Sequence, residues 1–175
     1  MPMIFYDCST APSPRRARIF LAEKNAPHEV INIDMMKGEQ MTDAYKEINP
    51  GQTIPALKLE NGHVLTDNAG IAVYLEETFP DPPLLGRDPI EKAEIATWQS
   101  RTEGGFLMAI ANAFRNSHLS MKGRALPGPE NYEQIPELAE RGLAQIDAFL
   151  DRLEAHLIGR DFIVGDALSV ADITA

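Results

Sequence analysis

The sequence predicts a small α/β domain in the order βαβ, short helix, ββα (βαβαββα overall), followed by an all-α helical domain. Three observations carry this expectation. Two short apolar runs flank a helical stretch near the N-terminus, Asn61-Gly62 sits between two further strand-like runs, and after the proline-rich segment FPDPPLLG at 79–86 the apolar spacing becomes helical throughout. With 175 residues, 44% hydrophobic and 24% charged, the chain has ordinary globular composition and enough apolar side chains to form a core.

Met3 to Asp7 contains Ile4, Phe5 and Tyr6 and is short enough for a buried strand. A Ser/Thr/Pro turn follows. Ser13 with Pro14 is the pairing of an N-cap with proline at the first helical position, so the first helix is expected from about Pro14 to Asn25 with Ala17, Phe20 and Leu21 inward. Pro27 ends it, and His28 to Asp34 alternates in strand fashion, which makes the first two strands parallel with a right-handed crossover. Lys37 to Gln40 reads as a loop and Met41 to Glu47 as a short helix. Ala56 to Glu60 and His63 to Thr66 are strands joined through Asn61-Gly62, and a helix begins near Asp67 with Ile71, Tyr74, Leu75 and Thr78 at helical spacing.

Beyond the prolines, Asp88 to about His118 carries Trp98, Phe106, Leu107, Ile110, Ala111 and Phe114 with a period near 3.6, with Gly104-Gly105 as a kink. Glu133 to Leu157 places Leu143, Ile146, Leu150, Leu153 and Leu157 at steps of three and four, a predicted buried seam. Ser169 and Asp172 form a capping pattern, flanked by Leu168 and Ile173 as a hydrophobic staple. The helix it starts is too short to stand alone, so the natural chain is expected to continue past Ala175.

A net charge of −10 and a pI near 4.8 repel phosphate backbones, which excludes nucleic acid as an expected partner. No apolar run approaches the roughly 20 residues of a membrane span, and Met1 to Thr10 lacks the form of a signal peptide, so no membrane partner and a cytoplasmic location are expected. The single cysteine, Cys8, excludes an internal disulfide and a cysteine-rich metal site; no metal is expected.

Four stretches together resemble the glutathione transferase family: PSPRRARIFLAEKNAP, INPGQTIPAL, VLTDNAGIAVYLEETFPDPPLLG and GDALSVADIT, in family order and over nearly the whole chain. The resemblance implies a thioredoxin-like glutathione-binding domain at 1–79, a linker at 80–87 and a helical C-terminal domain at 88–175 that is incomplete at its end. It implies glutathione as cosubstrate, a small hydrophobic electrophile as acceptor and a homodimer. Pro55 would be cis, and Ile54 would offer its backbone N–H and C=O to the cysteinyl part of glutathione, as an added strand does. Asp67 would accept from the γ-glutamyl ammonium, while Asn68 and nearby N–H groups hold the carboxylate at a helix N-terminus. Asp67 or Thr66 could equally serve as a simple helix cap. Gln40 would reach the glycyl carboxylate, Thr53 would touch the peptide, and Lys37 is more readily a solvated surface charge.

Transfer chemistry requires the thiolate, and lowering a thiol pKa by two units takes roughly 2.7 kcal/mol of preferential stabilisation of the anion. In relatives a Ser or Cys occupies the slot five residues before Arg16; here that slot is Ala11, which has no donor. Thr10, Ser9 and Ser13 are the neighbouring hydroxyls, with Thr10 first because it adjoins the slot, and backbone N–H groups at 11–13 can share the work. Two other readings stand beside conjugation. Ala11 favours a non-catalytic binding module, and Cys8 would allow a glutathione-dependent thiol transferase, against the simpler reading of Cys8 as a buried structural residue. Trp98, Phe106 and Met108 are candidates for the acceptor pocket, or else core.

Overall fold

The computed structural model describes residues 2–175, and the chain divides into two compact units, Met1–Leu84 and Leu85–Ala175. In the first unit β1 (Met3–Asp7), α1 (Pro12–Glu23) and β2 (His28–Asn32) are followed by two 3₁₀ turns and the short α2 (Asp43–Lys46). Then come β3 (Ala56–Lys58), β4 (Val64–Leu65) and α3 (Asn68–Thr78). The strands form one sheet in the order β2-β1-β3-β4; β1 and β2 are parallel, as expected of a strand–helix–strand unit, and the other pairs antiparallel.

Register pairs Phe5 with Leu57 and Tyr6 with Ala56, so the two pairs face opposite sides of the sheet. Phe5, Leu57 and, from the packed helices α1 and α3, Phe20, Leu21, Ile71 and Leu75 are all fully buried. Each such side chain contributes about 1.5–3 kcal/mol by leaving water. The opposite face holds a second cluster of Tyr6, Cys8, Ile33, Tyr45, Ile54 and Ala56, with Ala11 packed against it.

Several boundaries differ from the sequence reading. The first helix starts at Pro12, with Ala11 at the N-cap position and Ser13 inside the first turn. Both Pro12 and Pro14 fit a first turn, whose N–H groups have no intrahelical acceptor, and the helix takes the earlier start. It stops at Glu23 because Asn25 adopts φ 48° and closes it, with Ala26 N–H donating to Leu21 C=O at 3.1 Å. On the edge strand β2, Val30 and Ile31 are both exposed rather than alternating.

Two ion pairs brace this unit, one half-buried and one buried. Arg18 grips Asp7 with both ends of its guanidinium, Nε to Oδ2 at 2.7 Å and Nη2 to Oδ1 at 2.8 Å, joining α1 to the end of β1. The Lys24 ammonium, fully shielded from solvent, lies 2.6 Å from Glu76 and donates to the Pro80 and Pro82 carbonyls, holding the proline segment against α1 and α3.

The second unit is helical: α4 (Pro89–Arg101), a π-helical turn at Thr102–Leu107, α5 (Met108–Ser117), α6 (Pro136–Leu157) and α7 (Val170–Thr174). The weak point expected at Gly104-Gly105 is this wide turn; two poor helix formers permit the extra residue in the coil. The leucine seam of α6 is displaced from its predicted place. Leu143 and Leu150 are exposed, Ile146, Leu153 and Leu157 are half-buried, and the buried face is Ala139, Gly142 and Phe149. A Cβ on Gly142 would stand 2.6 Å from Ala109 O and 2.9 Å from Ala113 N, so the backbones of α5 and α6 meet where only glycine fits. Phe106 stacks on Phe149 at 4.8 Å and Trp98 lies against His156 at 4.3 Å, so both serve this unit's packing, while Met108 is exposed. Among the described residues no helix is long and apolar enough to cross a membrane.

Candidate functional site

Of the candidate residues, Ser9, Thr10, Ala11, Ser13, Asp67 and Asn68 lie where β1 ends and where α1 and α3 begin, while Gln40 and the 53–55 segment belong to other loops. After β1 the chain turns sharply, Ala11 N–H donating to Cys8 C=O at 3.0 Å, which puts Ser9 and Thr10 at the tip. Ser9 N–H is held by Asn32 Oδ1 at 3.2 Å, and Thr10 Oγ1 is 3.6 Å from Cys8 Sγ. Cys8 is buried in the cluster that includes Ile54, as a structural cysteine would be. Ala11 offers no side-chain cap to α1. Because Pro12 and Pro14 lack N–H groups, Ser13 supplies the one backbone donor among the first three helical positions.

Ser13 also joins the two helix starts. Its hydroxyl oxygen accepts from Asn68 Nδ2 at 3.2 Å, a bond across 55 positions of sequence. Asn68 opens α3, and its Oδ1 is shielded from solvent without a hydrogen-bond partner among the described residues. Asp67 occupies the N-cap position of α3, yet its carboxylate makes no capping bond and is exposed. The carboxylate therefore remains available to a cation, which separates it from an ordinary cap residue.

Ile54 and Pro55 lie just before β3, and the peptide between them is cis. Among the described residues neither the backbone N–H nor the C=O of Ile54 takes a hydrogen bond within the chain. A donor and an acceptor on one residue at the end of a sheet strand form the pair an extended peptide can continue. Thr53 is turned differently from expectation: its carbonyl accepts from Tyr45 Oη and Asn49 Nδ2, each at 2.8 Å, and its hydroxyl oxygen accepts from Asn49 Nδ2 at 3.1 Å. Asn49 Oδ1 also accepts from Gly51 N–H at 2.9 Å, so this buried amide ties the whole 49–53 loop. Burial pushes the Tyr45 phenol up to about 12, keeping it a neutral donor to Thr53. Asn49 and Tyr45 thus position the loop, and sequence reading missed both. The Asn-Pro-Gly turn at 49–51 was the available signal.

Gln40 sits in the 3₁₀ turn Glu39–Met41, and its Oε1 is buried without a partner among the described residues. Lys37 is solvated and paired with Asp34 at 3.0 Å, as a surface charge. No group of His, Cys, Asp and Glu among the described residues is arranged to hold a metal ion.

A mixed four-stranded sheet of this order, with a cis proline before β3 and the starts of α1 and α3 joined through Ser13 and Asn68, defines a thioredoxin-like class of protein. The family model for the glutathione S-transferase N-terminal domain matches residues 10–78, and that for the C-terminal domain matches 136–175. Glutathione S-transferase 2 of Saccharomyces cerevisiae is 32% identical over 177 residues, covering 98% of this chain and 72% of that protein. A probable maleylacetoacetate isomerase of Caenorhabditis elegans is 44% identical over 159 residues, covering 91% of this chain and 69% of that one. Among solved structures, a glutathione S-transferase domain-containing protein from Marinobacter aquaeolei VT8 superposes with a TM-score of 0.87 at 32% identity, over 98% of this chain and 82% of that one. The chain belongs to the glutathione S-transferase family: it is a glutathione transferase, and glutathione is its cosubstrate.

Proposed function

We propose that this chain binds glutathione along Ile54 and activates its thiol for attack on a small hydrophobic electrophile. The carrying observation is the unpartnered Ile54 N–H and C=O lying in the same unit as two helix starts that lack side-chain caps. The cysteinyl backbone pairs with Ile54. Asp67 accepts from the γ-glutamyl ammonium, and Asn68 with the N-terminal N–H groups of α3 faces the carboxylate. At the other end Gln40 meets the glycyl carboxylate, and Thr53, whose hydroxyl hydrogen is not used by Asn49, can donate to the peptide.

The sulfur belongs beside Ala11, where Thr10, Ser9 and Ser13 supply the hydroxyls and the start of α1 supplies positive potential. The thiol proton goes to solvent, the thiolate attacks the electrophilic carbon, and for an aryl halide the carbon–halogen bond breaks as the carbon–sulfur bond forms, releasing halide. We assign the protein to the cytoplasm as a homodimer, in keeping with its family. Calorimetry with glutathione together with turnover of a generic aryl halide tests the reading. Uptake with conjugation supports it; uptake without conjugation of any electrophile selects a binding role, and no uptake at millimolar glutathione removes it.

A further inference from the structure

We propose that Asn68 is a positioning residue for thiol activation, acting through Ser13; the inference rests on the glutathione reading above and deepens it. Ala11 leaves the sulfur without a side-chain donor at its own position, so the donor must come from a neighbour. Of the nearby hydroxyls, Thr10 is exposed and lies against Cys8 Sγ, whereas Ser13 is half-buried in the first turn of α1. The Ser13 oxygen accepts from Asn68 Nδ2 at 3.2 Å. That bond occupies a lone pair and leaves the hydroxyl hydrogen free to be given away, and a hydroxyl that accepts a hydrogen bond is polarised into a better donor. An amide is suited to this task because its nitrogen only donates. A hydroxyl at position 68 could reverse the direction of the bond and take the Ser13 hydrogen for itself. The start of α3 would in this way govern the ionisation of a sulfur bound at the start of α1.

The test is the pKa of the bound glutathione thiol, read from the ultraviolet absorbance of the thiolate against pH, in the full chain. Ser13→Ala is expected to raise it by about one unit, a roughly tenfold loss of thiolate at fixed pH below the pKa. Asn68→Ala should raise it by about half a unit through the lost polarisation, and the double variant by no more than Ser13→Ala alone. Asn68→Asp keeps the side-chain shape but only accepts, so it should raise the pKa more with Ser13 present than in a Ser13→Ala background. Additive single effects, an equal Asn68→Asp effect in both backgrounds, or an Asn68→Ala that weakens glutathione binding with the thiol pKa unmoved would each overturn the proposal. Those outcomes leave glutathione binding intact in the wild type. A wild type that takes up no glutathione would overturn the underlying reading as well.

Discussion

The starts of α1 and α3 in the first unit are finished differently from the helix starts of the second, although the short α2 is capped by Thr42 Oγ1, which accepts from Tyr45 N–H at 3.3 Å. In the second unit the Asp88 carboxylate accepts from Ile90 and Glu91 N–H at 2.8 and 3.0 Å, and Asp172 accepts from Ser169 N–H and Oγ and, through its other oxygen, from Ile163 N–H. Even α6, whose N-cap is Ile135, has that residue's N–H taken by Asn116 Oδ1 from the preceding helix. In the first unit Ala11 and Asp67 hold the N-cap positions of α1 and α3 and supply no side-chain cap, although Asp is among the best capping residues. A helix end left unsatisfied by its own chain is a place where a ligand's charge can do the capping. Asp88 and Asp67 both precede a helix, yet the first is structural and the second is available.

Substitution separates the two roles. Asp172→Ala should cost about 2–4 kcal/mol, because it strands the buried Ile163 N–H as well as removing the cap of α7. Thermal unfolding should then fall by about 5–10 °C with glutathione affinity unchanged in the material that remains folded. Asp67→Ala should show the opposite signature. Stability should move by less than about 0.5 kcal/mol, and glutathione affinity should drop about tenfold, roughly 1.4 kcal/mol, as read by calorimetry. A melting temperature that falls for Asp67→Ala while affinity holds would make the two aspartates equivalent and dissolve the contrast. Asp88→Ala belongs with Asp172 but with one helix end and no buried amide at stake, so about 1 kcal/mol and no change in binding are expected.

How much of this was legible beforehand follows the same division. Element order, the parallel β1–β2 pair, a weak point at Gly104-Gly105 and the Ser169–Asp172 cap could be read directly, because each rests on local residue chemistry. The start of α1 was misplaced by two residues because Ala11 carries no capping signal while Ser13-Pro14 carries a strong one. The α6 seam was misplaced because leucine periodicity outweighed Gly142 and Ala139, whose smallness lets α5 approach and so decides which face is buried. The site residues could be named, yet their linkage could not: the Asn68–Ser13 bond spans 55 positions, and the Asn49 amide reaches Thr53 only once the loop has folded. Pairings made by tertiary structure leave no periodicity to read.

The smallest effect concerns pH, and it tests whether the second unit is also held by charge. Arg87 donates to Glu91 from its guanidinium at 2.7 Å and from its backbone N–H at 2.6 Å, and it reaches Asp166 at 2.6 Å. The guanidinium bond first, and then the backbone bond, hold the Glu91 carboxyl down at about 2, below its ordinary 4.5, and the same partners raise Arg87. A depressed carboxylate favours the folded state at pH values above its unfolded pKa, and that contribution fades as pH falls from about 4.5 toward 2. Glu91 therefore stabilises the second unit at neutral pH and stops doing so in acid. Glu91→Gln should lower the melting temperature slightly at pH 7 and flatten its decline between pH 4.5 and 2, with the difference from wild type closing at the acid end. Because Arg87 is half-exposed, added salt should narrow the same difference at neutral pH. An acid limb that is unchanged in Glu91→Gln would assign the decline to other carboxylates and leave the capping aspartates as the main polar support of that unit.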